Sequence, residues 1–476
     1  MIFSSYSFIF VFLPVTLLVY RLLLFWKKDA LSKLWLVAVS LYFYAQGSPE
    51  FVLSFAAAIL FNYVLGSRIR RLHGSDNKQH RSKRILLAIG LAQNLALLGY
   101  YKYTHFLIEN VNALTGESLA LKSIVLPLGI SFFTFQLIAY LADCYRGKVE
   151  EHSVIDYLVF ITFFPQLIVG PIVHHGEIIP QLNQHRRRFF NQAEVMLGIF
   201  LFSIGCAKKL MLADPLTAYA EGFLADLPGA DALTGWTAVL SYTLSYYFDL
   251  SGYADMAIGL GWLFGIRLPH NFDSPYKARN FREYWQKWHM TLSRFLGDYI
   301  FRSIYRKGTG SGRFYTAVLV TFLVSGIWHG AGWHFVLWGL INGIFVCAAH
   351  FMTRNKLRLP FLLAWVLTFA GVVGTRILFV STGLTQSMEI FRKLFSFRDI
   401  LDAADGGMRL ASFAAFNLYP ILLLIIAIGI ALFAKNTREM TENFVPSRKH
   451  AVWAAVLFTL ALFHMTEVSD FLYFQF

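Results

Sequence analysis

An all-α membrane protein that crosses the bilayer many times is the fold class this chain predicts, and three observations carry the prediction. Hydrophobic residues make up 57% of its 476 positions and aromatic residues 17%, a balance that does not suit a water-facing surface. Apolar runs recur along the whole length, many near the span of about 17 to 25 residues that a helix needs to cross hydrocarbon. The net charge of +14 comes from basic residues that fall between those runs instead of forming one patch, so it reads as topology and not as a nucleic-acid partner.

Taken in order, the apolar runs lie at 7–26, 34–46 with 51–65, 85–101, 123–141, 154–172, 193–207, 236–264, 315–328, 334–352, 361–380, 413–434 and 451–466. They predict roughly 11–13 membrane helices, including re-entrant or interfacial segments, around a central tunnel. A single membrane domain is expected, with N-terminal spans in 1–122, a core in 123–352 and C-terminal spans in 353–476. The first run, from Ser7, lacks a basic n-region and a small-residue cleavage site, and so reads as a retained helix.

Lysine and arginine cluster at Lys27–Lys33, Arg68–Arg84, Arg146–Lys148, Arg186–Arg188, Arg267–Arg313, Arg354–Arg358 and Lys435–Lys449. The positive-inside rule puts these loops in the cytoplasm, and the acidic connection from Asp214 to Asp231 outside. Both termini then fall on the periplasmic side of an inner membrane, provided that 34–65 and 315–352 are hairpins and 154–172 does not cross. Lys208 and Lys209 sit at an outer end and do not fit. The basic loop at 68–84 is placed to meet lipid headgroups. Cys144, Cys206 and Cys347 have neither metal nor disulfide spacing and read as packing residues.

From Leu126 the sequence changes character. LPLGISFFTFQLIAYLADCYRG is followed by FPQLIVGPIVHHGEIIPQL, where Pro165, Gly170, Pro171 and Pro180 interrupt an apolar run and predict a bent segment. His174, His175 and Glu177 match no standard metal spacing, so no metal site is expected. Asp249 and Asp255 are embedded in the apolar run 243–272, and their six-residue spacing puts them on different sides of a helix. Each is open to two readings, a hydrogen-bonded structural carboxylate or the lining of a polar cavity.

Two histidines draw the chemistry together. Phe281, Tyr284, Trp285, Trp288, Leu292, Phe295, Leu296 and Tyr299 recur at three- and four-residue spacing, which predicts one amphipathic helix along an interface or a polar cavity. His289 stands four residues after Trp285 and should share its face. It reads either as a surface histidine in an aromatic belt or as a residue of the cavity. His329 sits in SGIWHGAGW, where glycines clear room, tryptophans supply flat apolar walls and an imidazole can exchange a proton near neutral pH. An ionisable group in apolar sequence is costly, which points to a general base; a structural histidine bonded to a carbonyl is the other reading.

These blocks resemble those of the membrane-bound O-acyltransferase (MBOAT) superfamily, in the bacterial branch that contains the alginate O-acetyltransferase membrane component. LPLGISFFTFQLIAYLADCYRG, FFPQLIVGPIVHHGEIIPQL, FDLSGYADMAIGLGWLFGIRLPHNFDSPYKARNFREYWQKWHMTLSRFLGDYIF and GIWHGAGWHFVLWG carry the resemblance in order, with a similar C-terminal FLYFQF. The resemblance implies O-acyl transfer, with His329 as the essential catalytic residue and His289 as a second functional position. Trp285, Trp288, Arg282, Arg294, Trp328, Asp255 and Asn271 are then expected to line a tunnel or hold substrate. Two positions depart from the family pattern: Gly297-Asp298-Tyr299 replaces Arg-Asp-Tyr, and Asn342-Gly343 replaces His-Gly.

The layout this implies takes acetyl-CoA as the donor, with Lys277, Arg279, Arg282, Lys287, Arg294 and Arg302 attracting its phosphates from the cytoplasm. No tightly bound cofactor is expected. The acceptor is expected to be a hydroxyl of an extracytoplasmic polysaccharide, alginate-, cellulose- or peptidoglycan-like, or of a partner protein, with an extracytoplasmic acetyl-handoff or acetyltransferase protein completing delivery, an exopolysaccharide role such as alginate biosynthesis, membrane lipid around the chain and no nucleic acid. Two rivals stand beside this reading: D-alanyl transfer from a carrier protein to teichoic acid, and a transporter or flippase without chemistry.

Overall fold

The computed structural model describes residues 1–72, 77–120, 124–184, 191–396, 413 and 417–465. The Arg186–Arg188 cluster and the FLYFQF ending lie outside the described residues. Among the described residues every regular element is a helix. Seven helices are long and apolar enough to cross a membrane, by length and composition, and two more, Ile130–Tyr145 and Leu418–Phe433, are apolar but shorter. The larger number expected from the runs included short and broken ones. The run at 154–172, for example, forms helices of nine and four residues, Val154–Thr162 and Phe164–Leu167, parted at Phe163.

The chain divides into two compact units, one made of Met1–Ser203, Tyr253–Pro269 and Val445–Ala455, the other of Ile204–Gly252, His270–Phe444 and Val456–Phe476. In the first unit α1 (Leu13–Phe25), α2 (Asp29–Ala45), α3 (Val52–Arg71), α4 (Asn77–Leu98) and α5 (Ile130–Tyr145) follow one another. Glycines let them approach: Gly66 lies against the Tyr140 ring and Gly90 against Leu141. Polar groups inside are met by one another, as where Asn94 Nδ2 donates to Asn62 Oδ1 at 2.8 Å between α4 and α3. Lys33 pairs with Asp156 at 2.5 Å. His174 and His175 lie 3.9 and 3.6 Å from the Asp143 carboxylate. Glu177 accepts from the His174 backbone N–H at 2.9 Å, the role of a helix cap.

The second unit holds the central stretch. Its elements are the first part of α6 (Ala232–Leu263), then α7 (Phe281–Lys287), α8 (Met290–Leu296), α9 (Ser311–His329), α10 (Trp333–Arg354) and α11 (Phe361–Val380). α9 and α10 form a hairpin whose backbones nearly touch, because a Cβ on Gly326 would stand 2.4 Å from the Phe335 carbonyl oxygen, and one on Gly339 2.4 Å from that of Phe322. That closeness is what small residues allow where the lipid supplies no hydrophobic drive between helices.

The structure also explains why Lys209 does not fit the charge rule. It is 3% exposed, and its Nζ lies 2.8 Å from Asp214 Oδ1 and 2.8 Å from Asp249 Oδ1, so it neutralises buried carboxylates instead of marking a loop. Asp249 therefore takes the structural reading. Replacing Lys209 with Met should strand the buried Asp249 carboxylate, along with the half-buried Asp214, and cost about 3–5 kcal/mol, the usual penalty for halving a buried pair. Thermal unfolding in detergent checks this: Lys209→Met melts well below the parent, and adding Asp249→Asn restores part of the loss.

Candidate functional site

The segment between α7 and α8 is where the structure departs most from the periodic pattern. α7 starts normally, with Asn280 Oδ1 accepting from the Glu283 N–H at 2.9 Å and Glu283 pairing with Lys287 at 2.9 Å. It then stops at Trp288, whose backbone is extended, and His289 adopts a left-handed conformation with φ 44°. The single helix expected over 281–299 is thus two short ones, and His289 does not share a helical face with Trp285.

Asn271 holds the break in place. Its backbone carbonyl accepts from Met290 N at 2.9 Å, and its side-chain Oδ1 accepts from Thr291 N at 3.2 Å and Thr291 Oγ1 at 2.9 Å. Ser293 Oγ donates back to the Trp285 and Trp288 carbonyls at 3.1 and 3.3 Å. These bonds satisfy backbone groups that the interrupted helix leaves open, and they offset the strain at a non-glycine residue with positive φ. The result corrects the surface reading of His289, which is 2% exposed. It lies outside the long apolar helices, and burial pushes its imidazole down to about 3, so it is neutral at physiological pH.

His329 closes α9, and Gly330 beyond it is in an extended conformation. Aromatic rings enclose the imidazole: Trp328 at 4.9 Å, Trp338 at 5.0 Å and Phe379 at 5.2 Å between centroids. It is 4% exposed. Trp338 in turn meets Trp285 edge-on at 5.6 Å, and its carbonyl accepts from Asn342 Nδ2 at 2.8 Å, where the family pattern has a histidine.

Trp285 is also part of the wall of a cavity of about 280 Å³, lined among others by Arg282, Gln286, Ser293, Phe322 and Ser325. His329 is not one of the lining residues. Two rings separate it from the cavity, because Trp285 in the wall meets Trp338 and Trp338 meets the imidazole.

The other residues expected at the site fall as follows. Arg282 and Trp285 reach the cavity, Asn271 clamps the helix break, Trp328 packs on His329, and Trp288 stacks on Tyr246 at 5.9 Å with the planes 9° apart. Arg294 is half-buried on α8 and does not line the cavity. Asp255 is buried in the first unit. Of the cations expected to draw phosphate, Arg302 pairs with Asp298 at 2.7 Å, Lys287 with Glu283, and Lys277 Nζ donates to the Ala434 carbonyl at 3.0 Å.

One residue of this neighbourhood escaped the sequence reading. Arg376, in α11, is 4% exposed, with its guanidinium carbon 4.2 Å from the Tyr246 ring centre, 5.1 Å from that of Trp288 and 5.3 Å from that of Phe379. Its position as the lone charge in FLLAWVLTFAGVVGTRILFV was the available signal, because a charge inside a span needs an account.

Comparison with known proteins adds a family and its members. The membrane-bound O-acyltransferase family model matches residues 114–388. The chain is 37% identical over 422 residues to the peptidoglycan O-acetyltransferase of Helicobacter pylori, covering 82% of this chain and 79% of that one. It is 35% identical over 403 residues to the probable alginate O-acetylase AlgI of Pseudomonas aeruginosa, covering 83% and 75%. The teichoic acid D-alanyltransferase of Streptococcus thermophilus is 30% identical over 241 residues, or 47% of this chain and 56% of its own.

If Asn271 clamps the break through Thr291, the two side chains are energetically coupled. Asn271→Ala should cost about 1–3 kcal/mol by leaving buried donors without an acceptor. A double-mutant cycle with Thr291→Val, read by thermal unfolding, should give a coupling of at least about 0.5 kcal/mol; additive losses would mean the clamp does not act.

Proposed function

This chain belongs to the membrane-bound O-acyltransferase family, and from that premise we propose that it moves acetyl from cytosolic acetyl-CoA to a hydroxyl of an extracytoplasmic polysaccharide, with His329 as the general base. That it is an O-acyltransferase follows from the family; the acyl group, acceptor and residue roles are the proposal. The observation that carries it is the setting of His329, an imidazole enclosed by Trp328, Trp338 and Phe379 and parted by the Trp285–Trp338 pair from an apolar cavity that has Arg282 in its wall.

That setting suits the chemistry. A hydroxyl is a weak nucleophile, and a base within reach of its proton typically contributes about 10²–10⁴ in rate. Aromatic walls keep water from the thioester, so that the acyl group goes to the acceptor and not to hydrolysis. Arg282 would meet the donor's phosphates, and the cavity would take the arm that carries the acyl group. For that arm to reach His329, Trp285 and Trp338 have to shift, which gives the tryptophan pair the role of a gate. His289, neutral and held by the Asn271 clamp, would order the wall of this passage and not transfer a proton itself.

The relatives favour acetyl. The two named for O-acetylation match more than four-fifths of this chain, while the D-alanyltransferase matches less than half. Their named substrates, peptidoglycan and alginate, are both glycans, so a polysaccharide hydroxyl is the acceptor class proposed. A multi-pass position in the inner membrane, periplasmic termini and an extracytoplasmic protein that completes delivery belong to the same reading. Metal and tightly bound cofactors have no part in it.

The test is to incubate purified protein with acetyl-CoA labelled in the acetyl group, together with a polysaccharide acceptor, and to follow label and free CoA. His329→Ala should lower transfer by about 10²–10⁴ while eluting and melting like the parent. Parent-level transfer by that variant would remove the base assignment, and substrate movement without CoA release would favour a transporter.

A further inference from the structure

Arg376 is a buried cation whose charge is met by no carboxylate among the described residues; its guanidinium lies over the Tyr246 ring, and the hydroxyls of Tyr246, Tyr276 and Tyr284 are its polar neighbours. The neighbouring acid, Asp249, is engaged with Lys209 at 2.8 Å. The guanidinium Nε is buried and has no hydrogen-bond partner. Ring faces attract a cation but do not cancel its charge, so a full positive charge persists here in a low-dielectric setting. Other charges of this unit are disposed of differently: Lys209 is neutralised by aspartates, and Arg302 and Lys287 are paired near water.

The charge is also close to the proposed chemistry. Arg376 and His329 pack on the same ring, Phe379, at 5.3 and 5.2 Å. Arg376 also covers Trp288, next to His289. One cation therefore touches both histidine segments, through Phe379 on one side and Trp288 on the other.

We propose that Arg376 is the counter-charge of the transfer reaction, stabilising the negative charge that forms on the thioester carbonyl oxygen. This rests on the reading of the chain as a His329-dependent transferase that uses a CoA thioester. When the acceptor oxygen bonds to the carbonyl carbon, its proton passes to His329 and the carbonyl electron pair moves onto oxygen. Collapse restores the carbonyl, breaks the carbon–sulfur bond, and the departing thiolate takes the proton from the imidazolium. Between those steps an oxyanion exists, and a cation already desolvated and fixed beside it needs no reorganisation to stabilise it. An arginine suits this better than a lysine or histidine because it stays charged when buried.

The experiment begins with the unmodified protein. S-carboxymethyl-CoA carries a carboxylate one methylene beyond the place of the thioester carbonyl, and S-acetonyl-CoA a neutral ketone at that same place; both are tested as competitors of labelled acetyl-CoA. The anionic analogue should compete at least about tenfold better, and the preference should persist from about pH 6 to about pH 9, because an arginine does not titrate there. Arg376→Lys should keep the preference at about pH 6 and lose it toward about pH 9, because a buried ammonium, unlike a guanidinium, can give up its proton. Arg376→Met should lose it and lower kcat by about 100-fold, with KM within about threefold of the parent. An equal response to the two analogues, a wild-type preference that vanishes above neutral pH and so belongs to an imidazolium, or a folded Arg376→Met that keeps the preference would each overturn the assignment. If Arg376→Met does not fold, the wild-type pH series and Arg376→Lys still decide it. If neither analogue competes, the CoA-donor reading fails and Arg376's role with it; if only the neutral analogue competes, the donor reading stands and the role of Arg376 falls.

Discussion

The cost of a charge away from water organises much of this molecule. Hydrocarbon and packed protein offer an ion no solvent, so each buried ionisable group must be neutralised, enclosed or used. Lys209 is neutralised by Asp214 and Asp249, and Lys33 by Asp156. His289 responds by staying uncharged. Arg376 has neither option, since it cannot give up its proton and has aromatic faces for neighbours in place of carboxylates. It packs on Phe379, the same ring that helps enclose His329, so the charge stands against the wall of that enclosure.

A second constraint acts on the backbone. A helix that stops inside a protein exposes carbonyls and N–H groups, each of which needs a partner. Around Trp288 and His289 the partners are Asn271, which accepts from the Met290 and Thr291 N–H groups, and Ser293, whose hydroxyl donates to the Trp285 and Trp288 carbonyls. The break turns the chain so that Trp285 faces Trp338 and the cavity, while Trp288 turns to Tyr246 and Arg376. A continuous helix could not present those two tryptophans, three residues apart, to such different neighbours.

Much of the architecture was legible in the sequence because hydropathy is averaged over many residues and survives local detail. The helical class, the apolar spans and the interruption near Pro165 all follow from composition and period. His329 stood out for the reason that an imidazole among apolar residues is costly, whereas the burial of His289 was not legible in an amphipathic segment. What the pattern could not show was tertiary. The period of Trp285, Trp288, Leu292 and Phe295 is that of one helix, and neither glycine nor proline marks the break, which depends on Asn271 reaching across to Thr291 from 20 residues upstream. Lys209 looked like a topology signal because its partner Asp249 is 40 residues away. Arg376 was visible as a letter, but its meaning depends on what α6, α7 and α11 place around it.

The aromatic enclosure and the glycine contact of α9 with α10 are linked. Gly326 and Gly339 set the distance between these helices, His329 is three residues beyond Gly326, and Trp338 directly precedes Gly339. Anything larger at either glycine must push apart the helix that carries the imidazole and the helix that carries the ring against it. Overpacking of this kind generally costs about 1–3 kcal/mol, but here the same displacement would also open the ring layer that separates His329 from the cavity. Stability and exclusion of water therefore draw on one contact, which explains why SGIWHGAGWHFVLWG alternates the smallest and the largest side chains: the small ones fix the spacing, and the large ones fill the space that the spacing defines.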